Sequence, residues 1–383
     1  GTAQRVAYPD AKTLATFTKQ ALADARVPQA LAARERGEKS ALPVPVPRRV
    51  GEPSVFEHVV YVIKENRTYD QVFGDMKEGK GDPKLCLFPE AVTPNHHALA
   101  REFVLLDNFY VEGEVSADGH EWTTAAYATD FVEKTWPLVY RSGSRGIFRY
   151  PSEGGLPIAF PSSGYIWDRC KAAGVSYFSY GEFIDNGKTP DDPGTARVEA
   201  LKGHFDPKFR SFDMDYPDVK RAARFIEELG RYEKESSMPQ FIMLRLPSDH
   251  TSGASPGKPT PTAYVADNDL ALGQVIEALS KSKFWKDTAV FVVEDDAQNG
   301  SDHVDAHRTV ALAISPYIRR RSVDSTMYST SSMLRTMELI LGLEPMSQFD
   351  AGARPMFASF GTQPDLTPFV HRPPGVDLQA RNP

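Results

Sequence analysis

Cysteine is scarce: Cys86 and Cys170 are the only two in 383 residues, and their spacing is neither that of a redox pair nor that of a zinc finger. A thiolate metal cluster is thereby excluded, whereas one disulfide and two buried thiols both fit. Positive charge is also short, with 44 Lys and Arg against 51 Asp and Glu and a formal net charge of −7. No surface built to neutralise a nucleic-acid backbone is expected. Long apolar runs are missing: mean hydropathy is −0.40, and no window approaches the ~18 uninterrupted apolar residues of a transmembrane segment. The chain opens at Gly1 without an apolar leader core and reads as processed or truncated. Proline, by contrast, is abundant at 30 residues, above the usual ~5%. That excess predicts long ordered loops carried on a sheet scaffold.

Residues 8–40 read as an arm, with Leu14, Phe17, Ala21 and Leu22 in helical spacing and a charged run over 34–39; packing on the main body is expected of it. The alternate prolines of 41–49 (ALPVPVPRR) force an extended linker, which sets the boundaries at 1–50 for arm and linker and 51–383 for the main domain. Beyond it, short β-branched apolar runs stand at 58–63, 103–106, 175–179, 241–246, 289–293 and 310–314. Helical patterns separate them, among them 219–229 and 266–279. Runs that are apolar at nearly every position predict a mostly parallel sheet covered on both faces, hence an α/β class. The Gly/Pro-rich stretches 133–164 and 182–217 are expected as insertions that form a cap.

In an open α/β sheet, ligands bind beyond the carboxyl ends of the strands, and here those ends are polar. The run 58–63 leads into Lys64, Glu65 and Asn66, and 241–246 leads into Pro247, Ser248, Asp249 and His250. The run 289–293 leads into Glu294, Asp295 and Asp296, followed by Asn299, Asp302, His303, Asp305 and His307. Carboxylates from three strand ends repel one another unless a cation sits among them, which predicts a divalent metal. Oxygen and imidazole ligands suit Zn, Ca, Mn or Fe without distinguishing them. Ordinary roles stay open: Asp249 as a helix cap, Asp295 and Asp296 as a solvated turn, His303 and His307 as partly buried imidazoles. The segment 112–127 (EGEVSADGHEWTTAAY) turns from loop to helix and presents Ser116 at the helix start, where backbone N–H groups favour an anion. A metal on that hydroxyl would make it a nucleophile; a plain N-cap, with Gly119 and His120 in the first turn, is the alternative.

Together, KENRTYDQVFG at 64–74, SADGHEW at 116–122 and EDDAQNGSDHVDAHR at 294–308 resemble the phosphoesterase family of the alkaline phosphatase superfamily, which includes bacterial phospholipases C and an acid phosphatase; the resemblance runs over 58–343. It implies a three-layer α/β/α sandwich and metal-dependent hydrolysis of a small-molecule or lipid phosphoester. Monoesterase and phospholipase C-like diesterase activity, each through a phosphoserine intermediate, are equally implied. It further implies Ser116 as nucleophile, and Glu65, Asn66, Ser116, Asp249, Asp295 and Asp296 around one or two metal ions. Asn66 also serves as a donor to phosphoryl oxygens, and His250, His303 or His307 protonates the leaving group. His120, Asn299 and, in the cap, His204 complete the set as substrate contacts.

Two departures from the two-zinc members, Asp296 where they have His and Gly253 where they have a His after Asp249, make a single metal helped by histidines fit at least as well. The arm and linker resemble the region that follows an N-terminal β-propeller in bimodular secreted bacterial proteins. A secreted or periplasmic location is then expected, where a Cys86–Cys170 disulfide would be at home. A sulfatase of the same superfamily is the weaker alternative, because Ser116 stands where a Cys-x-Pro-x-Arg nucleophile would. So is a non-catalytic envelope module with a structural metal, which has no need of the Ser116 hydroxyl.

Overall fold

The computed structural model describes residues 3–140, 149–297 and 300–383. The central sheet consists of β1 (His58–Lys64), β2 (Tyr177–Tyr180), β3 (Phe241–Arg245), β4 (Thr288–Glu294) and β5 (Ala311–Ile314), side by side in the order β2-β3-β1-β4-β5. All pairs are parallel except β4 with β5. β1, β3 and β4 are buried at every position, as strands covered on both faces must be. The expected α/β class with a mostly parallel sheet is therefore observed.

The run at 103–106 is the exception. Val104–Leu106 leaves the sheet and pairs with Ser322–Asp324 in a separate two-stranded ribbon. Its apolarity reflected burial against the body and carried no information about its pairing partner.

The helices that bear on the site are α1 (Ala11–Asp24), α2 (Pro94–Glu102), α3 (Ser116–Ala125), α4 (Asp218–Glu235), α5 (Pro261–Lys281) and α6 (Thr330–Leu341). On α4, Arg221, Ala222, Phe225, Leu229 and Tyr232 recur at three- and four-residue spacing and form one buried face. That face meets Tyr180 of β2 through Phe225 and Tyr232, while α4 also packs beside α5 and α5 beside α2. α4 stops where Ser236 turns left-handed at φ 52.

α1 buries none of its residues, and Leu14, Phe17 and Leu22 stay exposed. Contact with the body comes after it, where Val27–Ala32 lies on Gln348–Gly352 and Arg335 on α6 donates to the Ala33 carbonyl at 2.7 Å. Both cysteines are free thiols: Cys170 is buried in the helix Ile166–Ala173, while the Cys86 thiol leans on the Gln71 and Val72 carbonyls. Among the described residues, no helix is long and apolar enough to cross a membrane.

Candidate active site

Parallel register brings charged residues together at the carboxyl edge of the sheet. Lys64 lies opposite Glu294 across β1 and β4, and Ile63 lies opposite Arg245 across β1 and β3. Just beyond, the chain delivers Glu65 and Asn66 from β1, and Asp295 and Asp296 from β4. Asn66 takes a left-handed backbone at φ 67, a conformation that asparagine tolerates better than most residues.

α3 is docked onto the same edge through its first turn. Gly113 bridges to Asp296, and the Asp118 carboxylate accepts from the Glu114 and Val115 N–H groups at 2.9 Å each. The N-cap is Val115, so Ser116 is the first helical residue and not the cap. Gly119 explains the close seating: a Cβ there would come within 2.6 Å of the Asp295 carbonyl oxygen. Gly119→Ala should therefore push Asp295 and Ser116 apart. We expect a loss of about 1–3 kcal/mol in stability from overpacking and a larger loss of any activity that needs both groups, read by denaturant melts and rate assays on one preparation.

The Ser116 hydroxyl donates to Asp296 Oδ2 at 3.0 Å and stands 3.5 Å from both Glu65 Oε2 and Asn66 Oδ1. Below it, His120 Nε2 lies 3.3 Å from Glu65 Oε1 and 3.5 Å from Asp295 Oδ2, with Nδ1 3.3 Å from Glu182 Oε2. Arg245 donates to Glu65 Oε1 from Nε at 3.2 Å and from Nη2 at 2.7 Å, and from Nη2 to Glu153 Oε1 at 3.0 Å. Burial pushes the Glu65 carboxyl up, but Arg245 and then His120 outweigh it and hold the group well below the ordinary carboxylate range. Asp295 goes the other way: burial, then Asp296 and Glu65, drive it well above that range.

This donor set fits a divalent cation. Ligating atoms of Glu65, His120 and Asp295 lie within 4.8 Å of one another, and both Asp295 carboxylate oxygens are buried without a hydrogen-bond partner. Buried, unpartnered anionic oxygens are costly unless a positive charge meets them.

The site opens into a cleft of about 380 Å³ lined by Glu65, Ser116, Arg245 and His250, and beyond them by Tyr140, Tyr150, Glu153, Ile184, Asn186, Arg197, Ser211 and Phe212. All eight of these outer residues come from the stretches expected to form a cap. Arg221 on α4 fastens one of them, donating to the Arg210 carbonyl at 2.7 Å, the Ser211 carbonyl at 2.7 Å and the Asp213 carbonyl at 2.9 Å. Left-handed non-glycine residues gather here as well: Asn66, Glu153, Phe183 and Thr251 all have positive φ. Strain of this kind persists where the surrounding fold imposes it and is common at functional sites.

Glu65, Asn66, Ser116, Asp295 and Asp296 thus converge as expected from sequence. His250 lines the same cleft, its Nδ1 2.8 Å from the Thr251 carbonyl. His120 is fully buried among carboxylates and does not line the cleft, where a substrate contact was expected of it.

Asp249 is not part of the cation cluster. Its Oδ2 pairs with the buried Lys64 ammonium at 2.8 Å, which also holds Glu294 at 2.8 Å, and its Oδ1 accepts from the Glu65 N–H at 3.1 Å. A cationic group of the chain itself, the Lys64 ammonium, thus stands between Asp249 and Glu294.

His303 lies in a separate cluster, Nδ1 to Asp70 at 2.6 Å, closed by Arg308. His307 pairs with Asp305 and Glu114, and neither it nor His303 lines the cleft. His204 is exposed and stacks on Tyr177 at 4.5 Å. Asn299 lies outside the described residues.

Sequence reasoning missed the roles of Lys64, Arg245, Glu153 and Glu182. A charged residue closing an otherwise apolar strand run was a usable signal for the first two. Glu153 and Glu182 lie in aperiodic segments that carry no such signal.

The sequence model described as Phosphoesterase family matches residues 83–344. A non-hemolytic phospholipase C from Pseudomonas aeruginosa is 29% identical over 110 residues, 28% of this chain. The matched part is 14% of that relative, so the chain spans far less than two thirds of its length. Among solved structures, a protein in the alkaline phosphatase superfamily from Vibrio parahaemolyticus superposes with a TM-score of 0.54 at 18% identity, covering 88% of this chain and 78% of that one. Human ectonucleotide pyrophosphatase/phosphodiesterase 5 superposes at 0.50 with 12% identity, covering 79% and 98%. At these identities the two structures share the fold with this chain.

Proposed function

The chain belongs to the Phosphoesterase family, and we propose that it hydrolyses phosphate esters with Ser116 as nucleophile and one divalent cation held among Glu65, Asn66, Asp295 and Asp296. The observation that carries this reading is the Ser116 hydroxyl donating to Asp296 at 3.0 Å beside an Asp295 carboxylate whose buried oxygens lack partners. A single cation is favoured because Asp249 and Glu294 already share the Lys64 ammonium. When bound, the cation would favour the ionised Ser116 hydroxyl and offset charge on the phosphoryl oxygens.

The chain's own groups do the rest. Ser116 Oγ attacks phosphorus in line with the leaving oxygen and passes its proton to Asp296 Oδ2. Asn66, held beside it, donates its amide to a phosphoryl oxygen. His250 as imidazolium gives a proton to the departing oxygen. Water arriving on the side the alcohol left then cleaves the phosphoserine, with His250 now taking the water's proton and Asp296 returning its own to Ser116 Oγ. The phospholipase C relative supports a small-molecule or lipid phosphoester as the substrate class.

The test is hydrolysis of p-nitrophenyl phosphate, its bis ester and the corresponding sulfate, before and after chelation. Chelated protein should lose phosphoester activity and regain it at about one equivalent of added cation, and Asp295→Asn should lower bound metal to a small fraction of wild type. Full activity in metal-free protein, or a preference for the sulfate ester, would overturn the reading.

A further inference from the structure

We propose that Arg245 is a second catalytic residue, whose Nη1 donates to a non-bridging oxygen of the phosphoryl group that Ser116 attacks; the inference rests on the function proposed above. A guanidinium carries five N–H donors in a rigid fork. In Arg245, Nε and Nη2 are engaged by Glu65 and Glu153, with Nη2 also 2.7 Å from His120 Nε2. Nη1 is buried and has no hydrogen-bond partner.

Two other buried arginines behave differently. Arg221 engages both terminal nitrogens, Nη1 with Asp218 and Nη2 with the Ser211 and Asp213 carbonyls. Arg308 likewise engages Nη1 with the Lys80 carbonyl and Nη2 with Asp70. Arg221 and Arg308 thus have all their nitrogens in use, whereas Arg245 keeps a terminal nitrogen idle.

Position supports the same role. Arg245 lines the cleft that Ser116 lines. Both groups meet one carboxylate: Arg245 holds Glu65 Oε1, and Ser116 Oγ stands 3.5 Å from Glu65 Oε2. The Phe212 ring lies 5.3 Å from the guanidinium carbon, and Glu65, Glu153 and Glu182 fix the fork. The two idle N–H donors are therefore held in place before an anion arrives, which is the arrangement that stabilises charge developing in a transition state. Lysine cannot reproduce it, because one ammonium cannot hold Glu65 and reach a phosphoryl oxygen in the same fork geometry.

The experiment compares wild type, Arg245→Lys and Arg245→Gln as metal-loaded enzymes at saturating cation, with Ser116→Ala alongside. Inorganic phosphate is the probe, read both as a competitive inhibitor and by calorimetric binding. At saturating cation, and at a temperature where the variant is folded, we expect Arg245→Lys to weaken phosphate binding by about tenfold or more and to lower kcat by about a hundredfold.

An unchanged phosphate affinity in Arg245→Lys overturns the inference. Activity restored by excess cation overturns it too, because Arg245 would then act only by positioning Glu65. Should both variants fail to fold, 15N-arginine-labelled wild type decides: phosphate should shift the Arg245 side-chain resonances, and an unmoved signal at saturating phosphate counts against the contact. Failure of the broader reading looks different, since Ser116→Ala would then keep wild-type rates whatever Arg245 does.

Discussion

Ser116→Ala should lower phosphoester hydrolysis by at least about 10⁴-fold, the scale of removing a nucleophile that works as a unit with its neighbours, while melting and metal content stay close to wild type. The separation of the two effects follows from what the side chain touches. Ser116 is the first residue of α3, and the helix start is held by the Asp118 carboxylate on the Glu114 and Val115 N–H groups, not by the Ser116 hydroxyl. The close seating of α3 on the Asp295 carbonyl depends on Gly119, which the substitution leaves alone. What disappears is one oxygen, the one that donates to Asp296 and faces the cleft. Stopped-time assays with p-nitrophenyl phosphate and its bis ester, run beside a thermal melt, check the prediction. A variant with a tenth or more of the wild-type rate would mean that the phosphoryl group does not pass through Ser116.

Lys64→Met should be the most damaging single change to stability near the site, with an expected loss of about 3–5 kcal/mol, the usual consequence of stripping one partner from a buried ion pair. The Lys64 ammonium is 2% exposed and sits 2.8 Å from Asp249 Oδ2 and 2.8 Å from Glu294 Oε1, both equally buried. Burial opposes its charge, but Asp249 and Glu294 outweigh burial and hold it firmly protonated. Glu294 is driven well above the ordinary carboxylate range by burial and then by Asp249, with Lys64 as the opposing influence. Without the ammonium, the Glu294 carboxyl would be driven up further and would hold its proton in the folded state at a pH where the unfolded chain has released it.

Stability of the variant should therefore fall as pH rises above the ordinary carboxylate range, and its deficit against wild type should be larger at pH 8 than at pH 5. Denaturant melts at the two values measure this. A deficit that does not change with pH would show that lost packing, not lost charge compensation, is the cause. Catalysis should suffer as well, because Asp249 accepts from the Glu65 N–H at 3.1 Å and so links this ion pair to the cation cluster.

The strands at 58–63, 241–246 and 289–293 were legible because burial on both faces leaves a continuous apolar run, and the polar residues that end each run marked the edge where the site lies. The turn before α3 was legible for a related reason: the change from loop to helix within a few residues fixes where the Ser116 hydroxyl is presented. Both are local properties of the chain, set by residues near one another in sequence. So were the positions of Glu65, Asn66, Asp295 and Asp296.

What only the tertiary structure decided is which charge meets which. From sequence, Asp249, Asp295 and Asp296 were equivalent carboxylates after strands, and His250, His303 and His307 equivalent imidazoles. In the fold, Asp249 meets Lys64, His303 meets Asp70, and Arg245 gathers Glu65, Glu153 and Glu182. Those partners are separated by as many as 233 residues of chain, and Coulomb interactions depend on distance in space, to which spacing in sequence is no guide once the chain turns back on itself. Local pattern determined that this protein carries an anionic edge beside a presented hydroxyl. Only the packing of distant segments determined which of its carboxylates an internal cation already neutralises, and which ones still face a cleft.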